Sequence, residues 1–111
     1  MILDTKTRGV LEQIIDSVIQ STPTLTKAFF DPKAKERLLI QNEKDFLLGM
    51  DLGMIQHAFW SKFFSMYERE PNEQELSEAG NIILNRISQI REATFKTYGR
   101  LTIADYLPLS I

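Results

Sequence analysis

The chain contains 111 residues, of which 43% are hydrophobic and 25% are charged, proportions typical of one ordinary soluble globular domain. The sequence has no cysteine, which excludes disulfide bonds, thiolate nucleophiles and cysteine-ligated metal centres. Its net charge of −2 provides no overall attraction to nucleic acid or to an anionic membrane.

Neither an export signal nor a membrane span is predicted. Charged residues follow the first three residues directly, so the start of the sequence lacks the apolar stretch of a signal peptide. The one candidate span, residues 46–67, contains Asp51 and Lys62. Each of these charges would cost about 2.5–3.5 kcal/mol at the centre of a bilayer. We therefore expect a cytoplasmic protein without membrane contact.

The first predicted helix begins near Asp4 or Thr5 and ends by Thr22. Its apolar residues recur four apart, which places them on one side of a helix. They are Val10, Leu11, Ile14, Ile15, Val18 and Ile19. Pro23 disfavours helical geometry in the residue before it, and this predicts the end of the helix.

Two shorter helical segments are predicted next. Residues 24–30 form the first, after which Asp31 and Pro32 provide a typical helix start. Residues 33–41 are predicted to be helical as well, although an extended run stays open because periodicity decides little over so few residues.

The most distinctive segment is the predicted helix over residues 45–69, which follows Asn42 as an N-cap. Apolar residues lie around most of its circumference, so we expect other helices to enclose it, including the surface around Trp60. Gly49 and Gly53 lie one turn apart. Because each glycine weakens a helix by about 1 kcal/mol relative to alanine, the pair indicates close approach of another helix.

A long final helix is predicted over residues 73–98. Asn72 and Glu75 have the spacing of a capping box, and Gly99 is typical of a helix end. An apolar seam with alternating four- and three-residue spacing could pack along a partner helix. The seam consists of Leu76, Gly80, Ile83, Ile87, Ile90 and Thr94. The apolar tail over residues 101–111 is expected to dock on the domain or on a second chain.

The sequence offers no constellation of catalytic residues. His57 is the only histidine, which excludes metal sites that need two. No glutamate is followed three residues later by histidine, as a carboxylate-bridged di-metal bundle requires, and no glycine-rich phosphate loop is present. We therefore expect no catalytic, cofactor-binding or metal-binding residues and a protein that is not an enzyme.

The densest basic group consists of Lys33, Lys35 and Arg37. Residues 1–44 contain seven basic and six acidic residues, so the local excess of positive charge is one. The three cations would also spread around a helix rather than line one edge. A solvated surface is therefore the favoured interpretation, and a small dimeric nucleic-acid-binding regulator is the alternative.

These elements predict an all-α protein, a small helical bundle that forms a single domain over residues 1–111. Two long helices, an N-terminal helix and one or two short helices offer more apolar surface than one copy is expected to cover. The leading hypothesis is a non-enzymatic association module that forms a homodimer. The residues expected at the helix crossing are Gly49, Leu52, Gly53, Trp60, Ile83, Ile87 and Ile90.

A small-molecule pocket between the helices is a further alternative. Aromatic and methionine side chains that cluster on the central helix could line such a pocket. They are Met50, Met54, Phe59, Trp60, Phe63 and Phe64.

Overall fold

Five helices make up the part of the chain that the computed structural model describes, residues 2–29 and 32–106. Side chains are described at residues 2–24, 33 and 36–96. The helices are α1 (Thr5–Phe29), α2 (Pro32–Leu38), α3 (Glu43–Tyr67), α4 (Glu73–Asn85) and α5 (Ile87–Tyr106). No strand occurs in the described residues, and the predicted all-α bundle is confirmed.

The bundle is formed by α1, α3 and the consecutive helices α4 and α5. At one end, the hydroxyl of Tyr67 donates to Asp4 over 2.8 Å, and the amide of Leu3 donates to Glu78 over 2.9 Å. The start of α1 therefore lies beside the end of α3 and the start of α4. It follows that α1 runs antiparallel to α3 and parallel to α4.

The core is built on one side of each helix. In α3 every fourth residue is buried, which keeps the buried side chains in a single stripe. This stripe consists of Leu47, Asp51, Ile55, Phe59 and Phe63. Apolar residues of the other bundle helices pack against it, and the most buried of these are Leu11, Ile15 and Ile90.

The prediction that other helices enclose α3 on nearly every side is wrong. Trp60 is 39% exposed and Phe64 is 52% exposed, although both are large apolar residues in the middle of the chain. The neighbouring helices cover the buried stripe and partly cover Leu48, Leu52 and Met54 beside it. They leave the side of α3 that contains Trp60 and Phe64 at the surface.

The predicted close crossing at Gly49 and Gly53 is also not found within the described chain. Both glycines are exposed, and no described atom of another element lies within 4 Å of the position that a Cβ would occupy. Neither has a positive φ. Intramolecular packing and backbone geometry therefore do not require glycine at these two positions.

α1 continues through Pro23 to Phe29, so the predicted end at Thr22 and the separate helix over residues 24–30 are wrong. Proline removes one helical hydrogen bond at this point. The hydroxyl of Thr22 donates to the carbonyl oxygen of Val18 over 2.8 Å and adds a hydrogen bond in the turn before the proline. Packing of α1 against the bundle then outweighs the local preference to stop.

The segment over residues 33–41 is helical only in its first part. α2 ends at Leu38, and Leu39 follows with a left-handed φ of 54°. The amide of Leu39 donates to the carbonyl oxygen of Glu36 over 3.3 Å, which closes the last turn.

The predicted single helix over residues 73–98 is interrupted at Arg86. This residue has a φ of −110° and a ψ of 11°, and its side chain reaches α1, where it forms ion pairs with Glu12 and Asp16. The amide of Arg86 donates to the carbonyl oxygen of Ile83 in a tightened turn. We infer that contacts with α1 fix this irregular turn, because no proline or glycine lies at the interruption.

α5 continues past Gly99 to Tyr106, so the predicted end at Gly99 is wrong. Residues 101–106 of the predicted tail belong to this helix. The predicted docking of their side chains and of residues 107–111 lies outside the described residues.

Both predicted N-caps are confirmed. The side chain of Asn42 accepts a hydrogen bond from the amide of Asp45, and Asn72 and Glu75 form a reciprocal capping box. Arg69 donates to both carboxylate oxygens of Glu75, at 2.8 and 3.0 Å. The hydrogen bonds from Arg69 hold the pKa of the Glu75 carboxyl below its ordinary value. This local network fixes the start of α4.

We expect Asn72→Ala to lower the free energy of unfolding by about 1 kcal/mol, because an amide in the first turn of α4 loses its acceptor. Asn81→Ala is the matched control, since Asn81 is an exposed residue in the interior of the same helix. Urea denaturation of both variants measures the difference. Equal stabilities would show that the capping box does not stabilise α4.

Candidate functional site

A groove with apolar walls runs between α3 and α4 and has a volume of about 320 Å³. The α3–α4 groove is defined by its lining residues, Gln56, Phe59, Trp60, Leu76, Ala79, Gly80 and Ile83. Its floor is formed by Phe59, Ala79 and Ile83, which are buried. Trp60 and Leu76 stand on opposite helices with more than a third of their surfaces exposed. The groove therefore offers apolar side chains to another molecule.

Among the described side chains, no charged one lines the α3–α4 groove. A shallow depression along α3 extends it past His57 to Gly53. A second shallow groove lies between α1 and α3, and its described lining includes the charged Lys62 but no aromatic residue. Aromatic content and a lack of charge are typical of the centre of a protein interface, so they favour the α3–α4 groove.

The shape of the groove follows from the positions of its residues on two helices. Trp60 directly follows the buried Phe59 and is turned by about 100° from it, toward the surface. On α4, Leu76 and Gly80 lie one turn apart. No described atom of another element approaches the Cβ position of Gly80 within 4 Å. The missing side chain at Gly80 leaves a recess beside Leu76.

The seven residues predicted at the helix crossing lie in different parts of the structure. Trp60 and Ile83 both line the α3–α4 groove, and Gly53 lies in the depression beside it. Ile90 is buried in the core of the same chain. The other three do not line the groove. Gly49 is exposed elsewhere on α3, and Leu52 and Ile87 are half-buried.

The six residues of the predicted aromatic and methionine pocket also lie in different parts of the structure. Only Phe59 and Trp60 line the groove. Phe63 belongs to the core, and its ring centroid lies 4.6 Å from that of Tyr67 with the two rings tilted by 42°. Phe64 is exposed. Met50 and Met54 are half-buried.

The basic residues proposed for nucleic-acid binding lie on α2. Lys33 and Arg37 are exposed, and the side chain of Lys35 lies outside the described residues. His57 is exposed on α3. Among the described residues, no three acidic or histidine side chains are grouped so that they could hold a metal ion. None of the described helices has the length and apolar character needed to cross a bilayer.

Sequence reasoning missed two features of the site region. The first is the wall of the groove opposite Trp60, which is formed by Leu76 and Gly80. The sequence analysis places these two residues in a seam that packs along a partner helix. The buried polar residue Asp51 was also missed, although it falls in the four-residue spacing of the stripe between Leu47 and Ile55. That spacing was the available signal for its burial.

The comparison with known proteins gives no guide to function. No protein family, curated protein or solved structure matches this chain significantly.

Proposed function

We propose that this protein is a non-enzymatic association module and that a second copy of the chain occupies its α3–α4 groove. The observation that carries the proposal is the exposure of Trp60 and Leu76 on either side of an uncharged recess. Tryptophan in a pocket that excludes water is typical of the residues that dominate binding energy at interfaces.

The α3–α4 groove supports a second copy as the partner because the same surface contains a projection and a recess. Trp60 projects from α3, and the position of Gly80 on α4 leaves space for an incoming side chain. In a two-fold dimer the same patch is used by both subunits, so each Trp60 can insert beside the Gly80 of the other copy. The neutral lining avoids repulsion between two identical surfaces.

The proposed dimer is an addition to a complete monomer. Ile55 and Phe63 have at most 1% of their surfaces exposed within a single copy. Folding of one chain therefore does not depend on association, and a reversible equilibrium between monomer and dimer is expected.

Trp60 provides a direct test, because it is the only tryptophan of the chain. We expect its fluorescence emission to move to shorter wavelength as protein concentration rises, since dimer formation removes its ring from water. Sedimentation velocity over the same concentrations measures the mass. A monomer whose emission does not change up to several hundred micromolar would contradict the proposal.

We expect Leu76→Gln to weaken the dimer about thirtyfold, since the loss of apolar contact in both copies amounts to about 2 kcal/mol. This variant keeps Trp60 as the probe. Leu39→Gln is the matched control, because Leu39 is 80% exposed but lies outside the groove. An equal effect of both substitutions would show that association does not use the α3–α4 groove.

A small-molecule site is the second candidate, and the volume of the groove favours it. The value of about 320 Å³ lies at the lower end of ligand-site volumes, which run from about 300 to 1,000 Å³. In that case the protein stays monomeric, and an apolar fluorescent dye quenches or shifts Trp60 emission in a Leu76-dependent manner. Absence of any dye effect on Trp60 would count against it.

A further inference from the structure

Asp51 lies in the interior of the bundle, between Thr22 of α1 and Thr94 of α5. None of its surface is exposed, and both threonines are buried as well. Its Oδ2 atom is 2.5 Å from Oγ1 of Thr94 and 3.5 Å from Oγ1 of Thr22. These three side chains, the Asp51 cluster, join three helices through polar contacts inside an apolar core.

Each threonine of the Asp51 cluster also has a backbone acceptor within reach. Oγ1 of Thr94 is 2.9 Å from the carbonyl oxygen of Ile90, and Oγ1 of Thr22 is 2.8 Å from that of Val18. A hydroxyl has one proton and can donate it to only one of these acceptors. The number of protons in the cluster therefore decides which hydrogen bonds can form.

When Asp51 is protonated, every hydroxyl proton of the cluster has an acceptor. Its carboxyl group donates to Thr94, while Thr94 and Thr22 donate to their backbone carbonyl oxygens at the short distances given above. An ionised Asp51 receives at most one short hydrogen bond, from Thr94. Its Oδ1 atom contacts no donor among the described residues, and a buried charge with so few hydrogen bonds is strongly unfavourable.

The surroundings of Asp51 contain no compensating cation among the described side chains. Along the chain, the charged and titratable residues near the cluster that have described side chains include Asp16 on α1, Glu43, Lys44, Asp45 and His57 on α3, and Arg91, Glu92 and Lys96 on α5. Asp16 pairs with Arg86, and the Lys44 ammonium lies 5.5 Å from the ring centroid of Phe95. Burial raises the pKa of the Asp51 carboxyl, and hydrogen bonds from Thr94 and Thr22 oppose this rise.

We propose that Asp51 is a proton-binding site in the folded protein, and that release of its proton loosens the packing of α1, α3 and α5. The proton leaves the carboxyl group to solvent, Thr94 redirects its hydroxyl from Ile90 to the carboxylate, and a negative charge remains in the core. This inference does not depend on the proposed dimer, because the cluster lies within one chain.

The direction of the pH dependence follows from linkage. In the unfolded chain Asp51 has its ordinary pKa, so between that value and the raised value of the folded chain the native state binds more protons. The contribution of Asp51 to the free energy of unfolding is complete below the ordinary pKa. It is lost as the pH rises to the raised pKa of the folded chain. The ratio of folded to unfolded protein falls by up to tenfold for each pH unit in this interval.

The test compares the wild-type protein with Asp51→Asn, which keeps the shape of the side chain without its titration. Urea denaturation from pH about 4 to 9 gives the ratio of folded to unfolded protein for each variant. We expect this ratio for the wild type, divided by the ratio for the variant, to fall as the pH rises. Asp4, Glu75 and Glu78, whose pKa values are lowered in the folded protein, cancel in this ratio. Asp45→Asn is the matched control, because it removes an exposed carboxylate from the same helix.

Carbon-13 NMR of the Asp51 carboxyl carbon in the wild-type protein provides a second measurement that does not require the variant to fold. We expect a titration midpoint above the ordinary value for aspartate, about 3.9, because burial raises the pKa of this carboxyl. A midpoint at or below that value would overturn the proposal, as would parallel pH profiles for the wild type and Asp51→Asn.

Discussion

The buried stripe of α3 is the constraint on which the rest of the structure depends. Steps of four residues turn the stripe by about 40° each, so it winds by about 160° between Leu47 and Phe63. Near its start the stripe faces α5, where Asp51 contacts Thr94. Farther along it faces α4, where Phe59 and Ile83 form the floor of one groove. α3 therefore packs against both α4 and α5, although these two helices are separated by the interruption at Arg86.

The four-residue spacing of the stripe also explains why one side of α3 remains exposed. The stripe uses the apolar residues at every fourth position, and Trp60 and Phe64 lie outside it. Their exposure is not a defect of core packing, because the stripe residues are already buried in one copy. Apolar surface that is not buried by folding is available for a partner, and this is the physical basis of the proposal that the α3–α4 groove binds a second copy.

The sequence predicted the features that depend on local chemistry and missed those that depend on distant contacts. The N-caps at Asn42 and Asn72 were predictable because donor and acceptor lie within three residues of each other. The interruption at Arg86 was not predictable, because its ion-pair partners lie about seventy residues earlier in the chain, on α1. Pro23 was misread for a related reason, since tertiary packing keeps α1 helical where local geometry favours an end.

The candidate surface was predictable only in part. The prediction selected Trp60 as an interface residue but placed it among enclosing helices, whereas the structure places it on the wall of a groove. Periodicity identifies apolar positions, and α3 has more of them than its neighbours cover. Which positions become the buried stripe is decided by α1, α4 and α5, so Leu76 and Gly80 could be assigned to the opposite wall only from the structure.

Asp51 and Trp60 are separated by nine residues, which places them about 180° apart on α3. The Asp51 cluster thus lies on the inner side of the helix that forms an outer wall of the groove. A partner in the groove would bury apolar area and would add no cation or donor to Asp51. Ionisation of Asp51 acts on the core and leaves the lining of the groove uncharged. The proposed association through Trp60 and the proposed proton binding at Asp51 therefore have separate physical origins, although both residues lie on α3.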